Sequence, residues 1–265
     1  MRGLTALVVP LLAVRALVGQ AASAATEIKS GDSLHTALQP AQALAHYRVA
    51  LAHDSTDYEA LWKAGRELID IAKQIEGKDD AAKRARDSLY TQARAYGEAA
   101  ERVRPSGAEG HFTVGAALGR LSRTKGGKER VRFARLIYDE GMKAIALDST
   151  HDGAYHLVGA WHAEVKRLSW IQRKAAAILF GGGFLSRGNW PDAQRYLERA
   201  AVLKPQDIFH HLELAEIYVD VGKYSLAREQ LRAIHDLPIA DVLDHEYKTR
   251  AATLLDDIKN KKDDT

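Results

Sequence analysis

Residues 208–238 read IFHHLELAEIYVDVGKYSLAREQLRAIHDLP, from Ile208 to Pro238. Within them Leu214-Ala215, Tyr218, Gly222, Tyr224, Ala227, Leu231 and Ile234 follow one order of large, small and aromatic residues. The apolar positions recur every three or four residues on both sides of Gly222, which predicts two amphipathic helices joined by a short turn. Small residues at Ala215 and Ala227 fall where the two helices of such a hairpin must approach closely. The same order recurs upstream. Ala193, Leu197, Ala200 and Pro205 fit a second helix. Tyr155, Val158 and Gly159 fit a first helix that follows Ala144, Leu147 and Asp148. Ala93, Ala100 and Pro105 lead into His111, Val114 and Gly115, and Ala43, Tyr47 and Ala50 lead into Leu61, Ala64 and Gly65.

This order resembles the tetratricopeptide (TPR) template, a helix–turn–helix unit of roughly 34 residues that buries its apolar face only by stacking on the next unit. First helices are expected to begin near Tyr58, Ala108, Asp152 and Ile208, spaced 50, 44 and 56 residues apart. The surplus length falls between the two helices of each pair. After Pro238, the apolar residues Val242, Leu243, Tyr247, Ala251 and Leu254-Leu255 predict a terminal helix that caps the array. The chain thus reads as all-α: a TPR-like α-solenoid, a superhelix of antiparallel helix pairs over residues 37–258. It carries an inserted helix within 167–187 and a C-terminal capping helix. Residues 25–36 are expected to be flexible, and the polar tail 259–265 frayed.

Composition agrees with an all-helical chain. The 265 residues are 46% hydrophobic and 28% charged, with 7% aromatics and only 6 prolines. Disordered and collagen-like classes are excluded by that balance. The formal charge of +3 leaves no basic surplus calling for nucleic acid. With no cysteine, disulfides, Cys-ligated zinc and thiol chemistry are excluded.

The N-terminus reads as an address. Arg2 precedes the uncharged run Gly3–Val14, and Ala22-Ser23-Ala24 offers small residues in an A-x-A arrangement. A charged start, an apolar stretch and a small-residue exit predict a secretory signal peptide over residues 1–24. Arg15 interrupts a span that would need about 20 apolar residues. The expected destination is the periplasm or the medium; mitochondrial delivery or an uncleaved membrane anchor is the alternative.

The insertion reads RLSWIQRKAAAILFG from Arg167 to Gly181, after the helix AYHLVGAW from Ala154 to Trp161. These two strings resemble the regulator of microtubule dynamics family, and the likeness covers about residues 40–258. The resemblance implies a divergent TPR solenoid. It further implies a link to microtubules, as in animal members, and a TPR domain that binds and transfers phospholipid, as in one organelle tether of the family. With an expected signal peptide and no long organelle-anchoring region, the chain is expected to be an exported, bacterial-type member.

No catalytic signature is present. The 11 histidines include His210-His211, adjacent and on different helix faces, and His156/His162, six apart; neither is the i, i+4 pair of a metal site. HExxH, GxSxG and GxxxxGK[ST] are absent. Gly181-Gly182-Gly183 follows a helix, so it is a helix stop or hinge and not a phosphate cradle. His210 and Glu213 are expected on a solvated helical face. No catalytic residue, metal or cofactor is assigned, and the chain reads as a non-enzyme.

The expected binding surface is the concave face, lined by the first helix of each unit. It gathers Trp62, Arg66, Phe112, His156, Leu212 and Glu216, with Trp62, Phe112, His156 and Leu212 at one equivalent position. No Lys/Asn clamp for a peptide C-terminus is present. A mostly apolar groove is costly to leave bare. Its occupant is either the chain itself, through the Trp170–Phe180 segment or the final helix, or an acyl chain or apolar partner helix. In the insertion, Leu168, Ile171, Ala175, Ile178 and Leu179 share a face. That describes a docked helix covering its neighbours or an interfacial membrane helix. Arg167, Trp170, Arg173 and Lys174 are the residues that would meet a lipid headgroup. The reading is a non-catalytic scaffold for an unidentified protein partner; the alternative is a phospholipid-binding or transfer module.

Overall fold

A computed structural model describes residues 9–264, with side chains from Ser23 onward. The side chains of the expected signal peptide before Ser23 lie outside the described residues. Among the described residues there are twelve α-helices and no strand. They are α1 (Val9–Thr36), α2 (Pro40–His53), α3 (Tyr58–Lys73), α4 (Asp80–Val103), α5 (Ala108–Leu121) and α6 (Gly127–Leu147). There follow α7 (Asp152–Arg167), α8 (Trp170–Phe180), α9 (Trp190–Leu203), α10 (Ile208–Asp220), α11 (Tyr224–Ile234) and α12 (Asp244–Asp257). The antiparallel pairs are α1/α2, α3/α4, α5/α6, α7/α9 and α10/α11, with α8 inserted in the fourth and α12 closing the last.

The four expected first helices start at Tyr58, Ala108, Asp152 and Ile208. One turn repeats before each. The amide of Asp57 donates to the carbonyl of Asp54, Gly107 to Arg104, His151 to Asp148 and Asp207 to Lys204, at 2.9–3.2 Å. The first residue of each turn donates to a fully buried alanine four back: Ala50, Ala100, Ala144 or Ala200. An alanine there lets consecutive units close up, and its carbonyl ends the preceding helix. Asp57 and Asp207 then cap α3 and α10 by accepting from backbone amides.

Close approach inside a pair depends on residue size. A Cβ on Gly159 of α7 would lie 2.9 Å from Leu197 Cγ and 3.2 Å from the Ala193 carbonyl oxygen on α9. The core runs through the stack as two main clusters, one centred on Tyr47, Leu68, Leu118 and Phe133, the other on Leu197, Leu212, Ile217 and Tyr247.

Two terminal expectations are corrected. Residues 25–36 are not flexible; they are the second half of α1. Ile28 and Leu34 pack on the core, Glu27 lies 2.6 Å from His46 Nδ1, and Asp32 accepts from the Tyr47 hydroxyl and from Lys63. Nor is the tail frayed over residues 259–264. Arg228 donates to the Lys261 carbonyl, Asp263 accepts from the Ser225 amide, and the Asp264 amide donates to the Gly222 carbonyl. Its charges find partners on α11 and the preceding turn that sequence position does not reveal.

Candidate binding surface

The concave face is formed by α3, α5, α7 and α10, and the chain's own C-terminus covers much of it. Between Ile234 and Asp244 the backbone crosses the array as a strap. Asp244 fixes the strap's end by accepting from the amides of Ala240 and Asp241. Asp241 Oδ2 accepts from Lys73 Nζ of α3 at 2.8 Å, and Asp70 pairs with the same ammonium at 2.8 Å. Burial works against the Lys73 charge, but these two carboxylates outweigh it and raise its pKa. A crevice of about 20 Å³ between the strap, α3 and the α1–α2 turn leaves room for little more than a water. Beyond the strap, Tyr247 of α12 stacks on Phe209 at 4.7 Å, and Phe209 stacks on His156 at 4.5 Å. Of the two segments of the chain expected as occupants, the final helix, α12, packs on α10 in the groove and the insertion does not; the strap joins α12 there, an occupant the sequence does not announce.

The expected lining residues therefore part company. Leu212 is fully buried in the core. His156 is enclosed beneath Phe209, with its Nδ1 2.9 Å from His210 Nδ1; burial and the neighbouring His210 push its pKa down to about 3. Glu216 is paired with Arg250 of α12 at 2.7 Å. Trp62, Arg66 and Phe112 remain half-buried on the uncovered part of α3 and α5. The Arg66 guanidinium lies 5.1 Å from the Trp62 ring centroid, and it also donates to Glu67 and to the Tyr47 hydroxyl. Phe112 packs on His151 at 4.6 Å.

Of His210 and Glu213, both expected on a solvated face, His210 is buried and Glu213 half-buried. His210 Nε2 lies 2.9 Å from Asp152. Burial and the charge of Glu216, opposed by Arg167, push the Glu213 carboxyl up to about 7. Asp207 goes the other way. Burial opposes its charge, yet His210 and Lys204 hold it down to about 2. These partners come from α7, from Lys204 in the α9–α10 turn and from α10 itself, and no local spacing signals them.

The insertion folds as a helix that turns its apolar face outward. Ser169 and Gln172 form a reciprocal capping box, and Gly181 ends the helix at φ +67°, the helix stop expected of the glycine run. None of its residues is buried. Of the headgroup candidates, Arg167 pairs with Asp220 at 2.8 Å and approaches Glu216. Arg173 donates to the Val165, Lys166 and Leu168 carbonyls, closing the end of α7. Trp170 and Lys174 are exposed, with Lys174 Nζ 5.6 Å from the Trp170 ring centroid. These four do not converge on one anion.

Three groups of described residues bring carboxylate and imidazole atoms within 4.8 Å: His35/Glu67/Asp70, Glu101/His111/Glu140 and Asp152/Asp207/His210. Each is knit by its own contacts. His111 Nδ1, for example, lies 2.6 Å from Glu140, whose other oxygen accepts from Lys143.

Capped helix pairs stacked through small residues define a TPR-like α-solenoid. Among solved structures it is similar to a thermophilic TPR protein of Thermus thermophilus, with TM-score 0.63 and 18% identity, covering 88% of this chain and 98% of that one. The model of the family "Regulator of microtubule dynamics protein 1-3" matches residues 28–259, and the chain belongs to that family. Regulator of microtubule dynamics protein 1 of Bos taurus is 28% identical over 203 residues, 76% of this chain and 62% of the relative. Regulator of microtubule dynamics protein 3 of Xenopus laevis is 27% identical over 203 residues, 74% of this chain and 41% of the relative. The chain thus spans less than two thirds of the length of these relatives.

Proposed function

We propose that this protein is a non-catalytic binding scaffold that holds a protein partner on the uncovered part of its concave face. One observation carries the reading. Trp62, with the Arg66 guanidinium against its ring, and Phe112 on the next first helix stay half-buried while the rest of the groove is covered. An aromatic with an adjoining arginine is the combination that anchors protein interfaces. Family membership and the solenoid support a scaffold role. The enclosure of His156 and His210, the imidazoles best placed for acid–base work, supports a reading without catalysis. Microtubule regulation is named for the relatives; extended to this chain, it requires a compartment that contains tubulin. Export through residues 1–24 to the periplasm or medium is our reading of location, and mitochondrial delivery or membrane anchorage its alternative.

The test is a photoreactive amino acid at position 62 or 112, with Val202, exposed on α9, as the control position. Cross-linking of one discrete polypeptide from position 62, abolished by Arg66→Glu and absent from position 202, is expected. Equal labelling from position 202 would overturn the reading. A phospholipid held in the same half-open groove is the second reading, favoured by the apolar Trp62 and Phe112 beside a cation. It predicts that lipid co-purifies with the protein and is lost in Trp62→Ala/Phe112→Ala.

A further inference from the structure

We infer that α8 and the start of α6 form a docking surface for an anionic membrane, separate from the concave face and independent of the partner reading. Ile171, Ala175, Ile178 and Leu179 lie at i, i+4, i+7 and i+8, the spacing of one helical stripe. On a surface helix that stripe normally faces the core. Here Trp170 is 64% exposed, Ile171 62%, Ile178 72% and Leu179 68%. The helix seats on the body through Ala176 on its other side, and Phe184 and Leu185 of the following 3-10 turn do the packing. Its capping box and left-handed Gly181 define the helix without help from burial. This is a preformed amphipathic helix with its apolar face in water.

Charge tells what the surface fits. Residues 166–187 contain Lys166, Arg167, Arg173, Lys174 and Arg187 and no acid. Residues 122–135, which run into α6, contain six cations and one acid, Glu129. Together they hold ten net positive charges in a chain whose formal total is +3, although Lys125 pairs with Asp87 and Arg167 with Glu164 and Asp220 from outside these segments. The two segments abut: Phe180 lies against Gly127, and Lys128, Arg132, Arg135, Phe180 and Phe184, with Glu129 paired to Arg132 at 3.4 Å, line a groove of about 500 Å³ between them. Lys128, Arg135, Lys174 and Arg187 are exposed, and no carboxylate pairs with them among the described residues. Arg135 lies over the Phe184 ring at 4.2 Å and Lys174 over Trp170 at 5.6 Å, so cations alternate with apolar side chains. An acidic peptide would meet the cations but leave four large apolar side chains unmatched. A bilayer with anionic headgroups meets both: Trp170 at the headgroup level, the aliphatic stripe just below it and the cations over the lipid charges.

The test is sedimentation of the full chain with vesicles of phosphatidylcholine alone, and with vesicles in which phosphatidylglycerol replaces one lipid in three. Binding to the anionic vesicles is expected, with a blue shift in tryptophan emission that Trp170→Phe removes. Ile178→Asp/Leu179→Asp, shown by circular dichroism to keep its helix content, should weaken binding about tenfold or more, and Lys128→Glu/Arg135→Glu should abolish the preference for anionic lipid. Binding that persists in the apolar variant, including binding through the N-terminal apolar run, overturns the inference, as does no binding by the unaltered chain. Capture of poly-glutamate equally by the unaltered chain and the apolar variant would assign the surface to an acidic chain instead. A dimer that dissociates in the apolar variant, without vesicle binding, would assign it to a second copy.

Discussion

The Lys73 ammonium at the end of α3 lies 2.8 Å from the carboxylate of Asp241, a residue 168 positions further along the chain. Asp70, one turn back on α3, shares that ammonium. Taking the cation away leaves two carboxylates facing each other under the strap. Lys73→Met is therefore expected to cost about 3–5 kcal/mol, the scale for a buried pair broken by loss of one partner. Urea unfolding measures it. Faster proteolysis between His235 and Leu243 should accompany the loss, and an unchanged cleavage rate would show that the ion pair does not hold the strap.

Glu213 gives a pH dependence of known sign. Its folded-state pKa is raised to about 7, so the folded protein holds the proton more tightly than the unfolded chain. The associated stability is fully present below the ordinary carboxyl range and is lost as pH rises through 7. Glu213→Gln keeps the shape and removes the charge. At pH 8 it should be more stable than the unaltered protein by about 1–3 kcal/mol, and at pH 4.5 indistinguishable from it. Thermal midpoints at the two values decide this.

Two glycines on neighbouring first helices should respond in opposite directions. At Gly159 an added Cβ meets Leu197 and the Ala193 carbonyl, so Gly159→Leu should overpack the stack by roughly 1–3 kcal/mol or more. At Gly119 the nearest atom is 4.0 Å away, so Gly119→Ala should raise stability by about 0.5–1 kcal/mol through helix propensity. Equal effects of the two would place the repeat phase elsewhere.

Processing after Ala24 would cut within α1, just beyond a buried alanine that packs on Ala50 and Ala60. The remaining part of α1 keeps its contacts from Glu27 to Leu34, so the mature domain is expected to begin at Ala25 and stay folded. N-terminal sequencing of the protein recovered from its cell checks this, and a chain starting at Met1 would contradict it.

The repeat was legible because it rests on local rules. Alanine at 50, 100, 144 and 200 and glycine at 65, 115 and 159 are short-range demands of stacked helices, visible one unit at a time. The binding face was only half legible. Trp62 and Phe112 stay half-buried, whereas Leu212 is fully buried and His156 lies beneath Phe209, on which Tyr247 stacks. Their fate depends on a strap whose anchor, Lys73, looks in sequence like any solvated lysine in a last helical turn. For the insertion, of the two readings left open the docked helix is the one that fails, for a related reason. A stripe at helical spacing says that a face is apolar, and Ile178 and Leu179 show that it does not say which way the face points.

An open array of helix pairs behaves as a one-dimensional lattice in which each site feels only its neighbours and the end sites melt first. The contact between α3 and the strap changes the boundary condition. Early and late sites become neighbours, as on a ring, and loosening at the C-terminal end removes support from the third helix as well. Such a lattice has fewer free ends to open, and its units are coupled more nearly as one cooperative block than as a row of separable ones.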